Sequence, residues 1–84
     1  GWYRKAAELG SQNGIWGIAN MYARGHGVPE DPGECYFWAR QLDPGRYPKA
    51  PSMQAYCAGK LSERQKREID ARLEARATKE ARAQ

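Results

Sequence analysis

Apolar residues recur at helical spacing through the first half of the chain. Trp2, Ala6 and Leu9 form one stripe, closed by Gly10. Ile15, Ile18, Ala19 and Tyr22 form a second at i, i+3, i+4, i+7, and Cys35, Trp38, Ala39 and Leu42 repeat that spacing as a third. Three stripes with one period predict three amphipathic helices. Asp43 to Ser52 (DPGRYPKAPS) holds three prolines and a glycine and is expected to be irregular. A short helix over Met53–Ala58 is predicted next, stopped by Gly59. Ser62-Glu63-Arg64-Gln65 has the form of a capping box and opens a run that reaches the last residue without Gly or Pro. No segment reads as a strand, so the expected class is all-α.

The punctuation between the second and third stripes supports this reading. In MYARGHGVPED, Gly25 falls where a helix ending at Arg24 takes a residue with positive φ, and Gly27 repeats that freedom. Pro29 cannot continue a helix and biases Val28 toward extended backbone. Asp31 then supplies an N-cap oxygen, Pro32 suits the first helical position, and Glu34 stands where a capping box places its acid. One helix stops and another starts within a short reversal, which predicts antiparallel neighbours.

The last segment differs from the others. Twelve of its 22 residues from Glu63 are charged, and only Ile69, Leu73 and some alanines can pack. Its i, i+4 pairs are mostly complementary (Glu63–Arg67, Arg64–Glu68, Lys66–Asp70, Glu68–Arg72, Arg76–Glu80), each contributing about 0.2–0.5 kcal/mol. With seven bases against five acids it is too mixed to track phosphates well, so nucleic-acid binding through this helix is the weaker alternative. The whole chain carries 14 Lys and Arg against 10 Asp and Glu, a net charge of +4 that is interleaved rather than patched. No apolar run approaches the ~20 residues of a membrane span. At 84 residues, 40% hydrophobic, the chain has room for one modest core.

The chain also resembles itself. WYRKA at Trp2 returns as WARQL at Trp38, 36 positions later, with a helix, turn and cap between them. A period of 30–40 residues with two helices per unit marks stacked helical repeats. The chain resembles the Sel1-like repeat family, relatives of the tetratricopeptide repeats with a longer, glycine-bearing connection. Trp2-Tyr3-Arg4-Lys5-Ala6-Ala7-Glu8-Leu9-Gly10 follows that family's closing motif. Ile18, Met21-Tyr22, Gly25-x-Gly27-Val28 and Asp31 follow its opening one. Departures are Gly14 for a small alanine, Ala19 for glycine, and a degenerate second close at Ala39-x-Gln41-Leu42-Asp43, as in a terminal repeat.

The resemblance implies an α-solenoid of antiparallel helix pairs over residues 1–42, followed by a Pro-rich loop and C-terminal capping helices over 43–84. Val28 is expected to plug the groove between the helices it joins. It further implies a non-catalytic protein-interaction module at the C-terminal end of a longer solenoid, with preceding repeats or a partner covering the Trp2–Leu9 side. Bacterial relatives suggest an envelope-associated adaptor, or an immunity protein that neutralises a secreted toxin. In a stacked repeat the helix carrying Cys57 packs against the one carrying Cys35. A Cys35–Cys57 disulfide is then favoured over two separate buried thiols, and with it a periplasmic or otherwise extracytoplasmic setting.

Candidate chemistry is sparse. His26, the single histidine, sits between two glycines with no second ligand at metal spacing, so neither a metal nor a cofactor is expected. Asp31 and Glu34 are explained by capping, and no acid–base constellation points to an enzyme. The face opposite the second stripe carries Asn13, Gly17, Asn20 and Arg24, flanked by Trp16. The outer side of such a helix lines the concave surface of a solenoid. Asn13, Trp16, Asn20 and Arg24 are therefore the expected protein-binding residues, Trp and Arg being common interface anchors.

Overall fold

In the computed structural model the backbone is described for residues 2–83 and side chains for residues 4–79. It consists of five α-helices: α1 (Trp2–Glu8), α2 (Gln12–Arg24), α3 (Pro32–Ala39), α4 (Ala50–Ala58) and α5 (Glu63–Ala83). Among the described residues there is no strand.

The boundaries of α2, α3 and α5 have local causes. The Ser11 hydroxyl accepts the Gly14 N–H at 3.2 Å and opens α2. Gly25, at φ 70°, closes α2 by donating to the Met21 carbonyl at 2.8 Å, and Gly27 at φ 78° continues the reversal. Asp31 caps α3 by accepting from the Glu34 N–H at 3.1 Å. The other half of that box is absent, because the Asp31 N–H donates instead to the Tyr22 carbonyl at 3.0 Å. The Glu34 carboxylate is left to meet Arg72 of α5 at 3.0 Å. Ser62 and Gln65 form a complete reciprocal box at the start of α5, at 3.1 and 2.8 Å.

Two elements differ from the sequence expectation. The irregular stretch is shorter than expected, and α4 begins at Ala50, with Pro51 in its first turn, where a missing N–H costs no helical bond. Leu9 does not share the buried face of α1 and is 80% exposed. The helix ends at Glu8, so Leu9 lies in the turn beyond it, before Gly10 at φ 86°. Ala7, fully buried, takes that place, while the Trp2 side chain of the expected stripe lies outside the described residues.

Packing runs α1 on α2, α2 on α3 and α3 on α4, and α5 returns across α3. The second and third stripes are buried as expected, every member being 8% exposed or less. Phe37 is buried as well, so α3 is enclosed on several sides. Val28 is half-buried against this core. The Cα radius of gyration, 12.3 Å, is close to the ~12 Å of a compact chain of this length, so the five helices form one globule. Cys35 and Cys57, both essentially inaccessible, are joined by a disulfide between α3 and α4, with Cα atoms 6.2 Å apart.

Candidate functional site

The outer face of α2 presents Trp16, Asn20 and Arg24 one turn apart. The Asn20 amide donates to the Trp16 carbonyl at 3.0 Å, which turns it along the helix axis. The Trp16 ring is half-buried and stacks on Tyr47, with centroids 5.4 Å apart and planes 18° apart. The Tyr47 hydroxyl in turn donates to the Asn13 side-chain oxygen. This contact draws the Asp43–Lys49 connection against α2 and brings the start of α4 opposite it. A second clasp acts on the same connection. Gln12 donates to the Gln41 carbonyl at 3.1 Å and accepts from the Asp43 N–H at 2.8 Å.

Between α2 and α4 this leaves a groove of about 540 Å³. Trp16, Asn20, Ala23 and Arg24 form one wall, and Lys49, Ser52, Met53 and Tyr56 form the other. The volume is in the ~300–1,000 Å³ range of ligand sites. A second hollow of about 450 Å³ adjoins it, where Trp16, Asn20 and Arg24 are flanked by Gly17, Met21 and His26. The three α2 residues thus form a ridge between two hollows.

Arg24 and Lys49 are exposed, and among the described residues neither has an ion-pair partner. Tyr56 is 54% exposed, with the Lys60 ammonium 4.5 Å from its ring centroid and 3.0 Å from its hydroxyl. Lys60 is also held by Glu30 at 2.8 Å, and these hydrogen bonds, that to Glu30 the stronger, keep its pKa above the ordinary lysine value. No acidic residue lines either hollow.

Of the four residues singled out in the sequence, Trp16, Asn20 and Arg24 line the groove, and Asn13 does not. Asn13 is engaged by Tyr47, and its role here is to hold the connection in place. Tyr47, Lys49, Ser52, Met53 and Tyr56 were not anticipated. Only Tyr47 gave a signal, as an aromatic residue inside a Pro-rich stretch that must find a surface to cover.

The lining offers aromatic and aliphatic surface, amide and hydroxyl hydrogen bonds and two cations, an inventory suited to holding a ligand. Among the described residues no three His, Cys, Asp or Glu side chains cluster as a metal site would require, and no helix is long and apolar enough to cross a membrane. Comparison with known proteins finds no matching family model, no matching curated protein and no matching solved structure.

Proposed function

We propose that this chain is a non-catalytic protein-interaction module of the Sel1-like repeat type, and that it binds its partner in the groove between α2 and α4. The observation carrying this reading is the ridge of Trp16, Asn20 and Arg24, which stands open between two hollows and faces the exposed Tyr56. An aromatic ring and a guanidinium side by side on a rigid helix are the residue types that anchor interfaces. The packing of each of the first four helices on the next, with α5 returning to α3, is what gives this reading its support from the fold. The 80% exposure of Leu9 leaves one apolar side chain open in the turn after α1, where a preceding repeat or a partner could cover it.

The charged terminal helix is a weaker candidate for ligand binding. Arg64 and Lys66 pair within α5, and Arg72 pairs with Glu34. The buried disulfide favours an oxidising, extracytoplasmic setting, where an envelope adaptor or a toxin-neutralising protein would work.

The reading is tested by placing a photo-crosslinking amino acid at Arg24 or Tyr56 in the native organism, with Glu74 on α5 as the control position. Protein adducts from positions 24 and 56 and not from 74 are expected. Adducts to nucleic acid, or adducts from position 74 alone, would overturn it.

A further inference from the structure

We infer that the groove receives an acidic peptide segment with an aliphatic anchor, its carboxylates against Arg24 and Lys49 and its anchor over Met53 and Ala23. This rests on the reading of the groove as a protein-binding face and adds the chemistry of the partner. The basis is charge complementarity. The ion pairs formed among the described residues lie elsewhere: Arg40–Asp70, Arg72–Glu34, Arg64–Glu68 and Lys66–Glu63 on or against α5, and Lys60–Glu30 beside the groove. The seam between α3 and α5 interleaves Asp31, Glu34 and Glu68 with Lys60 and Arg72. The groove, by contrast, has two exposed cations, no acid, and His26 in the adjoining hollow. Glu30 is held by Lys60, outside the lining. Lys49 is also the residue at the start of α4, where the helix has no side-chain cap, so the positive end of that helix adds to the same field.

The floor decides between a peptide and a nucleic acid. Bases need open ring faces to stack on, and one face of Trp16 is already covered by Tyr47. Two unpaired cations are few for following a phosphate backbone. Met53 and Ala23 instead offer aliphatic contact between the charged walls, which suits a Leu- or Ile-bearing acidic segment.

A randomised peptide library displayed on phage and panned on the oxidised chain tests this. The comparison is the R24E/K49E double variant, whose folding is checked by circular dichroism; both side chains are exposed, so the fold should persist. Enriched sequences should be rich in Asp and Glu around an aliphatic residue on the native chain, and should lose that acidic bias on the variant. An enriched acidic peptide should shift the Trp16 indole and the Arg24, Ser52 and Tyr56 amides in a nuclear magnetic resonance titration, and bind at least tenfold more weakly to the variant. Neutral or basic consensus sequences, the same consensus on both proteins, shifts outside the groove, or groove shifts caused by oligothymidine but not by the peptide would each overturn the inference. A crosslinked partner that presents a neutral or basic segment to positions 24 and 56 would sink the acidic assignment and leave the protein-binding role standing. Failure of any peptide to enrich, with no protein crosslinked from either position, would sink both.

Discussion

At Gly14 the approach of α1 to α2 comes down to the absence of one carbon. A Cβ there would lie 2.6 Å from the Ala6 Cβ and 2.8 Å from the Ala7 backbone nitrogen. Alanine is the better helix former by about 1 kcal/mol, but overpacking against backbone that no rotamer change relieves costs about 1–3 kcal/mol. The overlap wins. Gly14→Ala should lower the melting temperature by several degrees, a net loss of about 1 kcal/mol corresponding to roughly 4–8 °C. Gly25→Val and Gly27→Val should destabilise for a different reason, since both positions have positive φ. Gly59→Ala, at φ −62°, serves as the control and should be neutral or better. Thermal melts of the four variants followed by circular dichroism decide the matter; equal losses at 14, 25, 27 and 59 would contradict these assignments. The turn glycines were legible in the sequence because a helix stop is a local event. The need for Gly14 was not, because it depends on another helix 7–8 positions away in sequence lying against it in space.

At the scale of elements, the second and third stripes, the Gly25 stop and the Asp31 and Ser62 N-caps followed from the sequence, while pairings between elements did not. The i, i+4 scheme for α5 treats it as an isolated helix. Of the four such pairs whose side chains are described, only Arg64–Glu68 is formed, at 3.4 Å, while Lys66 takes Glu63 at 2.7 Å. Glu80 of the Arg76–Glu80 pair lies outside the described side chains. Asp70 turns to Arg40 at 2.6 Å, and Arg72 pairs with Glu34 while its guanidinium lies 4.1 Å from the Phe37 ring centroid. A guanidinium over an aromatic face contributes about 0.5–2 kcal/mol, more than an exposed ion pair. Arg72→Ala should therefore destabilise more than Arg64→Ala by about 1 kcal/mol in urea unfolding; equal effects would mean that the cover over Phe37 contributes nothing. The disulfide belongs to this scale too. It closes a loop with a sequence separation of 22, for which loop-closure entropy gives roughly 3 kcal/mol. Reduction, or Cys57→Ser, should lower the melting temperature by on the order of 10–20 °C. Unreduced protein from an oxidising compartment should weigh two hydrogens less than its reduced form by mass spectrometry, and two freely alkylatable thiols there would refute the bond.

For the whole molecule, the all-α class was legible because alternation never replaces the helical period. The candidate face was legible in part: the positions opposite the Ile15–Tyr22 stripe had to face outward, and three of the four line the groove. The opposing wall was hidden because it depends on where a Pro-rich connection travels, and Tyr47, Gln12 and Asn13 fix that path by contacts 29 to 34 residues apart in sequence. Arg24→Ala is expected to weaken partner binding by about 2 kcal/mol, roughly thirtyfold, by calorimetry, while leaving the melting temperature unchanged. An unchanged affinity would place the anchor elsewhere. The central position of α3 has a further consequence, for folding order. Its eight residues are too few to hold a helix alone in water, yet α2, α4 and α5 all rest on it. None of these three helices has its full surface until α3 exists, and α3 does not exist until they surround it. The chain should thus lose its structure in one step, with the amide hydrogens of α3 among the slowest to exchange with deuterium and those of α2 close behind at nearly the same opening free energy. Melting of α1 or α5 would be the only opening seen short of that.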